Sequence, residues 1–365
     1  MPAWIRSLPG GRPRSNDICG VPGTICDVIV CGHGLAGAVF VQRLLDRGLS
    51  FHVFDTPAFG NASQAAAGVI NPLSLRRDVL TWRAMEMMAI ARDTYERMAV
   101  RLGTDLWHPI ELKKIFPTQN ENAQWQRAME REQDPMLLSM DGSATIAGTD
   151  IRTPFGSGTL HSCAWLNIPG MLQNQRTWLK ERQLLTDSWI GPADIARNGP
   201  HVSIGSITAR WIVHCHGAFS GQVGLVPVKG EVLTVRMPTL RLEQIVHRGI
   251  FILPIGEDLY RVGSTFEWND VWSAPSIAAK EHLLHKLSLI TDHPVEVIDH
   301  MAGVRPASRD RRPILGPMND NEAIFNGLGS RGGMLAPWCA THLLGHLFDR
   351  SPLDPEIAAG RFSSP

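Results

Sequence analysis

The residues of this chain best placed to do chemistry are glycines, and their spacing is the first clue. Gly32-His33-Gly34-Leu35-Ala36-Gly37 is a G-x-G-x-x-G run, and an acid, Asp55, stands further on. In such a run Gly32 permits a tight turn and Gly34 lets the backbone approach a pyrophosphate. Gly37 lets a helix pack closely on its strand, and the amides at the helix start, around Leu35 and Ala36, point at phosphate. Asp55 can accept hydrogen bonds from both hydroxyls of an adenosine ribose. Its charge repels a 2′-phosphate, so FAD or NAD fits better than NADP. The competing reading is a glycine-rich turn with no ligand. His33 fills a variable slot and reads as an exposed turn residue.

The elements that hold these residues are legible. Val28-Ile29-Val30-Cys31 is the apolar run of a buried parallel strand. An amphipathic segment to Arg47 and a stop at Gly48 follow, then a short strand, Phe51 to Phe54. That is a βαβ start. A second glycine-rich turn lies near the end: within Ala323 to Pro337 a strand meets a glycine-rich turn and then a helix, with Pro337 tolerable in its first turn. It offers a second helix N-terminus to partial negative charge. The small-residue loop Gly60 to Gly68 suggests backbone lying against something flat or bulky, with a mobile surface loop as the alternative.

Between these ends the pattern alternates. Val79–Leu102 is a predicted helix with a Met-rich core stripe, followed by a strand pair in 107–116 and a helix from Asn120 to Arg131. A helix from Ile168 ends near Arg182, and Trp211-Ile212-Val213 ends a strand at Gly217-Ala218. The stretch 227–269 is rich in β-type alternation, with strands at Glu231–Arg236, Gly249–Leu253 and Tyr260–Thr265. A helix over Ser276–Ile290 and a strand over Val295–Asp299 come next. A long β-rich insert between nucleotide-fold pieces reads as a second domain over the ligand.

Composition narrows the class. The 365 residues carry 35 basic and 35 acidic side chains, so no basic excess points to nucleic acid, and none is expected as a partner. No apolar run approaches a membrane span. The first residues carry Arg6, Arg12 and Arg14 among Pro and Gly and read as a disordered extension without a signal-peptide core. None of the six cysteines forms C-x-x-C, so a reduced, cytoplasmic chain is expected. His214-Cys215-His216 does not make a metal site on its own, because neighbours alternate across a strand and no second ligand cluster stands out.

The motifs together resemble the D-amino-acid-oxidase-like family of FAD-dependent oxidoreductases, which includes glycine oxidases and the oxidoreductase domain of an enzyme acting on carboxymethylaminomethyl-uridine in tRNA. The carriers are GHGLAG with Asp55, ASQAAAGVINP, HGAFS, VGSTFEW, GVRPASRDRRPILG and NGLGSRGGMLAP, in shared order from Ile25 to Asp349. The resemblance implies an α/β fold with a doubly wound, Rossmann-like FAD domain and an antiparallel sheet that roofs the flavin. The implied boundaries are 1–24 extension, 25–78, 160–220 and 303–350 FAD domain, 79–159 and 221–302 substrate domain, and 351–365 tail. It implies that Ser63, Ala66, Ala67 and Gly68 run beside the isoalloxazine, and that Gly217 lies at the strand end. Gly329, Ser330, Arg331, Gly332, Gly333 and Met334 would face the pyrimidine edge of the ring.

By the same resemblance, Arg305 holds the substrate carboxylate and Arg331 is a second substrate-side arginine. A guanidinium fork donates two parallel hydrogen bonds and stays charged when desolvated. The alternative is that each arginine braces its loop through an internal carboxylate such as Asp310. The family's pocket tyrosine is replaced by Phe251, which makes an apolar roof and points away from simple glycine oxidation. Tyr260 reads as structural, His247 and His300 as satisfied structural histidines, and Cys339 as core. The expected cofactor is non-covalent FAD, since tethering motifs are not evident. The expected reaction is oxidation of the C–N bond of a small carboxylate-bearing amine by hydride transfer, with oxygen or another acceptor taking the electrons and no protein acid–base residue named. Rivals are a tRNA-borne carboxymethylamino group, disfavoured by neutral charge and the lack of a methyltransferase domain, a non-catalytic flavin module, and an NAD-dependent dehydrogenase. Homo-oligomer formation is left open.

Overall fold

The computed structural model describes residues 25–56, 60–132, 134–221 and 223–362. The expected extension, 1–24, lies outside them. The strand Ile25–Cys31 is the centre of the first sheet, because its run Val28–Cys31 is apolar on both faces and fully buried. Phe51–Asp55 and Ile207–His214 flank it in parallel, and Leu185–Asp187 and Glu322–Asn326 extend the parallel set on either side. Ile195–Asn198 and His201–Ile204 add an antiparallel meander to Ile207–His214. Helices α1 (Leu35–Asp46), α2 (Ala84–Leu102), α4 (Ile168–Glu181) and α6 (Gly332–Asp349) cover one face around a common apolar core. The meander packs its own apolar cluster on the other face.

The second sheet runs in the order Glu296–Ser308, Leu225–Arg236, Leu259–Gly263, Phe251–Gly256, Ile245–His247, Leu112–Ile115, Ser157–Leu160, Leu138–Asp141. It is antiparallel except where Ile245–His247 runs parallel to Leu112–Ile115. Helix α3 (Gln119–Arg131) packs beneath one end, and α5 (Ile277–Ser288) beneath the other. Their starts follow side-chain chemistry. Thr118 accepts from the Glu121 amide at 3.3 Å, Asn167 caps α4 through the Gly170 amide at 3.1 Å, and Ser276 caps α5 through Ala279 at 3.1 Å.

Several expectations change. Helix α2 starts at Ala84, not Val79: Val79–Leu80 pairs with Leu73–Ser74 instead, and Asp78 and Arg83 take left-handed φ values of 50° and 49°. The Asp78 carboxylate is fully buried against Lys114, at 2.7 and 2.8 Å, and this long-range pair fixes the turn. The strand expected at 295–299 extends to Ser308 and pairs along the whole of Leu225–Arg236. Sheet membership therefore crosses the expected boundary at 303, and α2, expected with the substrate domain, packs in the nucleotide-side core. The region expected as a tail is docked as far as it is described: Ile357 is buried, and its carbonyl accepts from the Leu315 amide at 2.9 Å.

Pro337 lies inside α6 rather than in its first turn. Its missing N–H would orphan the carbonyl one turn earlier, that of Gly333. The hydroxyl of buried Tyr95 donates to that oxygen at 2.9 Å, so α2 repairs the helix beside the second glycine-rich turn. Cys31, Cys163, Cys215 and Cys339 are free and buried. Among the described residues no helix is long and apolar enough to cross a membrane.

Candidate active site

A long cavity runs from the carboxyl end of the first sheet to the underside of the second. Gly32 makes the turn with φ +103°, and a Cβ there would stand 2.6 Å from the Cys215 carbonyl. A Cβ on Gly37 would overlap the Gly32 carbonyl, so this glycine fixes how closely α1 meets its strand. Gly34 is different. Its nearest neighbour would be the Ser63 hydroxyl at 3.3 Å, so its missing side chain keeps the cavity clear rather than relieving a protein contact. Neither α1 nor α6 has a side-chain cap or an acid in its first turn, which leaves two helix N-termini favourable to anionic groups. The Leu35 amide donates to the Ser63 hydroxyl at 3.0 Å, tying the small-residue loop to α1.

Asp55 accepts the His33 amide at 2.8 Å on one oxygen and Arg176 at 2.5 Å on the other. Arg176, from α4, also meets Asp187, and nothing in the local sequence announces this arginine as part of the site. His33 is not exposed. It is buried beneath α4, where Nε2 lies 2.9 Å from Gln175 Oε1, and burial lowers its pKa. These features fit a dinucleotide: glycine turns clear a path, free amides face it, and an acid with unused lone pairs stands at the ribose end.

Of the residues expected at the cofactor, Gly32, Gly34, Leu35, Ala36, Asp55, Ser63, Ala66, Ala67, Gly68, Gly217, Gly329, Ser330, Gly332 and Gly333 line this cavity. Gly37 lies beneath it. Arg331 and Met334 instead line a smaller adjoining chamber, together with His247 and Asn71. Phe251, Ser264 and Ser330 belong to both. Residues not singled out from the sequence also line the main cavity, among them Trp189, His216, Phe219, Gly230 and Ser264.

Arg305 lies at the cavity wall and contacts neutral groups. It donates to the Ser264 hydroxyl at 2.9 Å and the Thr265 carbonyl at 3.1 Å, and its guanidinium stacks 4.4 Å from the Phe266 ring centroid. Burial pulls its pKa down to about 10. Asp310, the internal carboxylate weighed as its partner, binds Arg361 at 2.7 and 3.1 Å. Arg331 donates to the Asn71 and Leu73 carbonyls, both at 3.1 Å, and burial likewise lowers its pKa. Among the described residues neither guanidinium has a carboxylate in ion-pair range.

Phe251 roofs the cavity from its strand, and the Tyr260 hydroxyl donates to the Leu240 carbonyl at 2.7 Å, away from the site. His300 stands 2.8 Å from Glu231. Neither histidine read as satisfied is fully so: His300 Nε2, although in ion-pair range of Glu231, and His247 Nδ1 are both buried without a hydrogen-bond partner, and burial lowers the His247 pKa to about 4. Cys31 lies opposite His214 in the parallel register, which brings its thiol and the imidazoles of His214 and His216 within 4.8 Å of one another. The strand ends at His214, the turn after it brings the His216 ring within 5.4 Å of the His214 ring, and the strand pairing supplies the third group that the sequence did not reveal. Burial and the charge of Glu322 push the Cys31 thiol up to about 12, so it is held as a thiol.

A Rossmann-like sheet with two uncapped helix N-termini along one cavity, roofed by a second sheet, defines a dinucleotide-dependent oxidoreductase of the two-sheet flavoprotein type. The comparisons specify which. The family model described as DAO, FAD dependent oxidoreductase, matches residues 27–344, and the chain belongs to that family. It is similar to glycine oxidase of Pseudomonas aeruginosa, 24% identical over 371 residues covering 92% of this chain and 99% of that one. It is also 23% identical over 380 residues to the tRNA 5-methylaminomethyl-2-thiouridine biosynthesis bifunctional protein MnmC of Marinobacter nauticus. There the match covers 92% of this chain but 58% of the relative. The solved iminodiacetate oxidase of Chelativorans sp. BNC1 shares the fold with a TM-score of 0.76 at 18% identity, over 90% of this chain and 98% of that one. The cofactor is therefore FAD, and the protein is an FAD-dependent oxidoreductase.

Proposed function

We propose that this enzyme oxidises the C–N bond of a small amine that carries a carboxylate. The observation that supports the reading most is Arg305: a desolvated guanidinium at the cavity wall, hydrogen-bonded only to neutral oxygens, retaining its affinity for an anion. A carboxylate bound there lies under Phe251, whose ring excludes water without offering a proton. When bound, FAD would supply the acceptor for a hydride from the carbon next to nitrogen, leaving an imine that water would hydrolyse to an oxo acid and an amine or ammonia. The protein contributes orientation: Ser264 and Thr265 hold the guanidinium, and Ser63 joins the flavin-side loop to α1. The cofactor is held non-covalently through the glycine turns and Asp55.

The deciding experiment is the visible spectrum of the purified protein, recorded anaerobically while glycine, sarcosine, proline and D-amino acids are added in turn. Bleaching by any of them supports the reading, and Arg305→Ala should then keep flavin and lose bleaching. A yellow protein that none of them bleaches counts against it. One feature favours a second reading, a carboxymethylamino group carried on tRNA: Phe219 and half-exposed Trp189 line the cavity, and the exposed Trp272 ring packs against Phe219 with centroids 4.9 Å apart, an aromatic group on which a base could stack. Bleaching by a modified tRNA anticodon stem, and not by free amines, would select it.

A further inference from the structure

We propose that Cys31, His214 and His216 form a zinc site at the carboxyl end of the first sheet, behind the cavity wall. The site is independent of the amine chemistry above. The fold assembles its ligands. Cys31 ends the central strand, and His214 stands opposite it in register at the end of the parallel neighbour Ile207–His214. The turn that follows returns the His216 ring to within 5.4 Å of the His214 ring. The Cys31 sulfur and one nitrogen of each imidazole then lie within 4.8 Å of one another. A tetrahedral zinc with bonds of about 2.0–2.3 Å needs its donor atoms about 3.3–3.6 Å apart, so a small inward turn of the side chains closes the set. One sulfur and two imidazole nitrogens suit zinc, whereas calcium and magnesium take oxygen donors.

Two further observations point to a ligand rather than to packing alone. The first is the hydrogen-bond accounting. His214 Nε2 lies 2.9 Å from Glu322 Oε2, so Nε2–H is the donor and Nδ1 is left with a free lone pair. Cys31 is a free, fully buried thiol. Among the described residues the His216 ring makes ring contacts with Trp189 and His214 and no hydrogen bond. The second observation is the support behind His214. The Glu322 side chain is 5% exposed, and its other oxygen accepts Arg197 at 2.8 Å and Asn319 at 2.9 Å. A tethered carboxylate that holds one nitrogen of a histidine aims the other nitrogen, which is how metal-binding imidazoles are oriented.

The position of the site defines its role. Cys31 packs in the apolar cluster on the meander face, and of the three ligands only His216 lines the main cavity. A metal there stands beside the dinucleotide path and not in it, with its fourth position open to water from the cavity. Cys31 and His216 immediately precede Gly32 and Gly217, two turns with φ of +103° and +59° that border the cavity. The zinc would therefore clamp the ends of two adjacent strands where their turns meet the cofactor. Its entry breaks the Cys31 S–H bond, forms an S–Zn bond and releases the proton to solvent.

The test uses the FAD-loaded full chain, prepared without a histidine tag, and reads metal rather than turnover. Zinc chloride is added to chelator-treated protein in competition with a fluorescent zinc chelator, and retained zinc is counted by mass spectrometry after gel filtration. About one zinc per chain should remain bound. Glu322→Gln, which disturbs only the orienting carboxylate, should weaken binding about 10- to 100-fold, and Cys31→Ser and His216→Ala should weaken it further. Cobalt(II) in place of zinc should give tetrahedral d–d bands to the red of the flavin absorption, and Cys31→Ser should remove them. If Cys31→Ser fails to fold, His216→Ala at the cavity wall decides. Flavin content in the same samples separates loss of zinc from loss of cofactor. Zinc that washes out of the unaltered protein on gel filtration would overturn the proposal. So would zinc bound equally well by Cys31→Ser and His216→Ala, which would mark an adventitious ion only.

Discussion

Replacing Gly230 by alanine tests the carboxylate clamp without touching Arg305. Gly230 sits in the strand Leu225–Arg236 opposite Gly303, and the Arg305 guanidinium lies across the space where its side chain would be. A Cβ there overlaps the Nη2, Cζ and Nη1 atoms of Arg305. The arginine tip is the movable partner, so it swings away and the backbone stays. Losing a charge-assisted carboxylate pair costs about 1.5–3 kcal/mol, which is about 10- to 150-fold in substrate Kd. Stability changes less. Alanine in an extended strand gains about 0.5–1 kcal/mol over glycine, against two displaced hydrogen bonds of about 0.5–1.5 kcal/mol each. For a chain of this size that is a Tm shift of a few degrees. The assays are anaerobic flavin reduction against substrate concentration, a thermal melt, and the flavin content of the purified variant. Unchanged substrate affinity in Gly230→Ala, alongside a large loss in Arg305→Ala, would refute the claim that this glycine seats the guanidinium. Loss of flavin or of fold would refute the claim that the arginine gives way.

Three further outcomes follow from the geometry. Gly34→Val should fold and lose FAD, since among the described residues its Cβ would meet no atom beyond its chain neighbours other than the Ser63 hydroxyl at 3.3 Å; a melt together with absorbance near 450 nm after gel filtration checks both halves. Lys114→Met should cost about 3–5 kcal/mol by stranding the Asp78 carboxylate, whose side chain is 0% exposed, and denaturant unfolding measures it. His216 and His247, each lowered to about 4 by burial, are neutral in the folded state down to that pH. The unfolded chain takes up their protons first, so stability should fall as pH drops from about 6.5 toward 4, by about 1.4 kcal/mol per pH unit for each histidine. His247→Gln should shallow that slope in a pH series of melts, and an unchanged slope would contradict the assignment.

The amino-acid sequence by itself determined the nucleotide end of this protein. Gly32, Gly34, Gly37 and Asp55 belong to one βαβ unit, where turn conformation, helix start and strand end are all set by near neighbours. The second glycine-rich turn and the α3, α4 and α5 starts were legible for the same reason: caps and periodicity are local. What decided the substrate end is long-range. Arg305 was nameable, but its lack of a counter-charge was not, because its partners Ser264 and Thr265 lie 41 and 40 residues away and the carboxylate nearest in sequence turned to Arg361. His33 looked exposed until Gln175, 142 residues on, covered it. Tyr95 mends a helix 238 residues away, and Asp78 reshapes the start of α2 through Lys114. Local propensity fixes which way a short segment turns. Whether a charge is paired, a ring is buried or a glycine makes room depends on which distant strands and helices pack together, and only the folded chain brings them into contact.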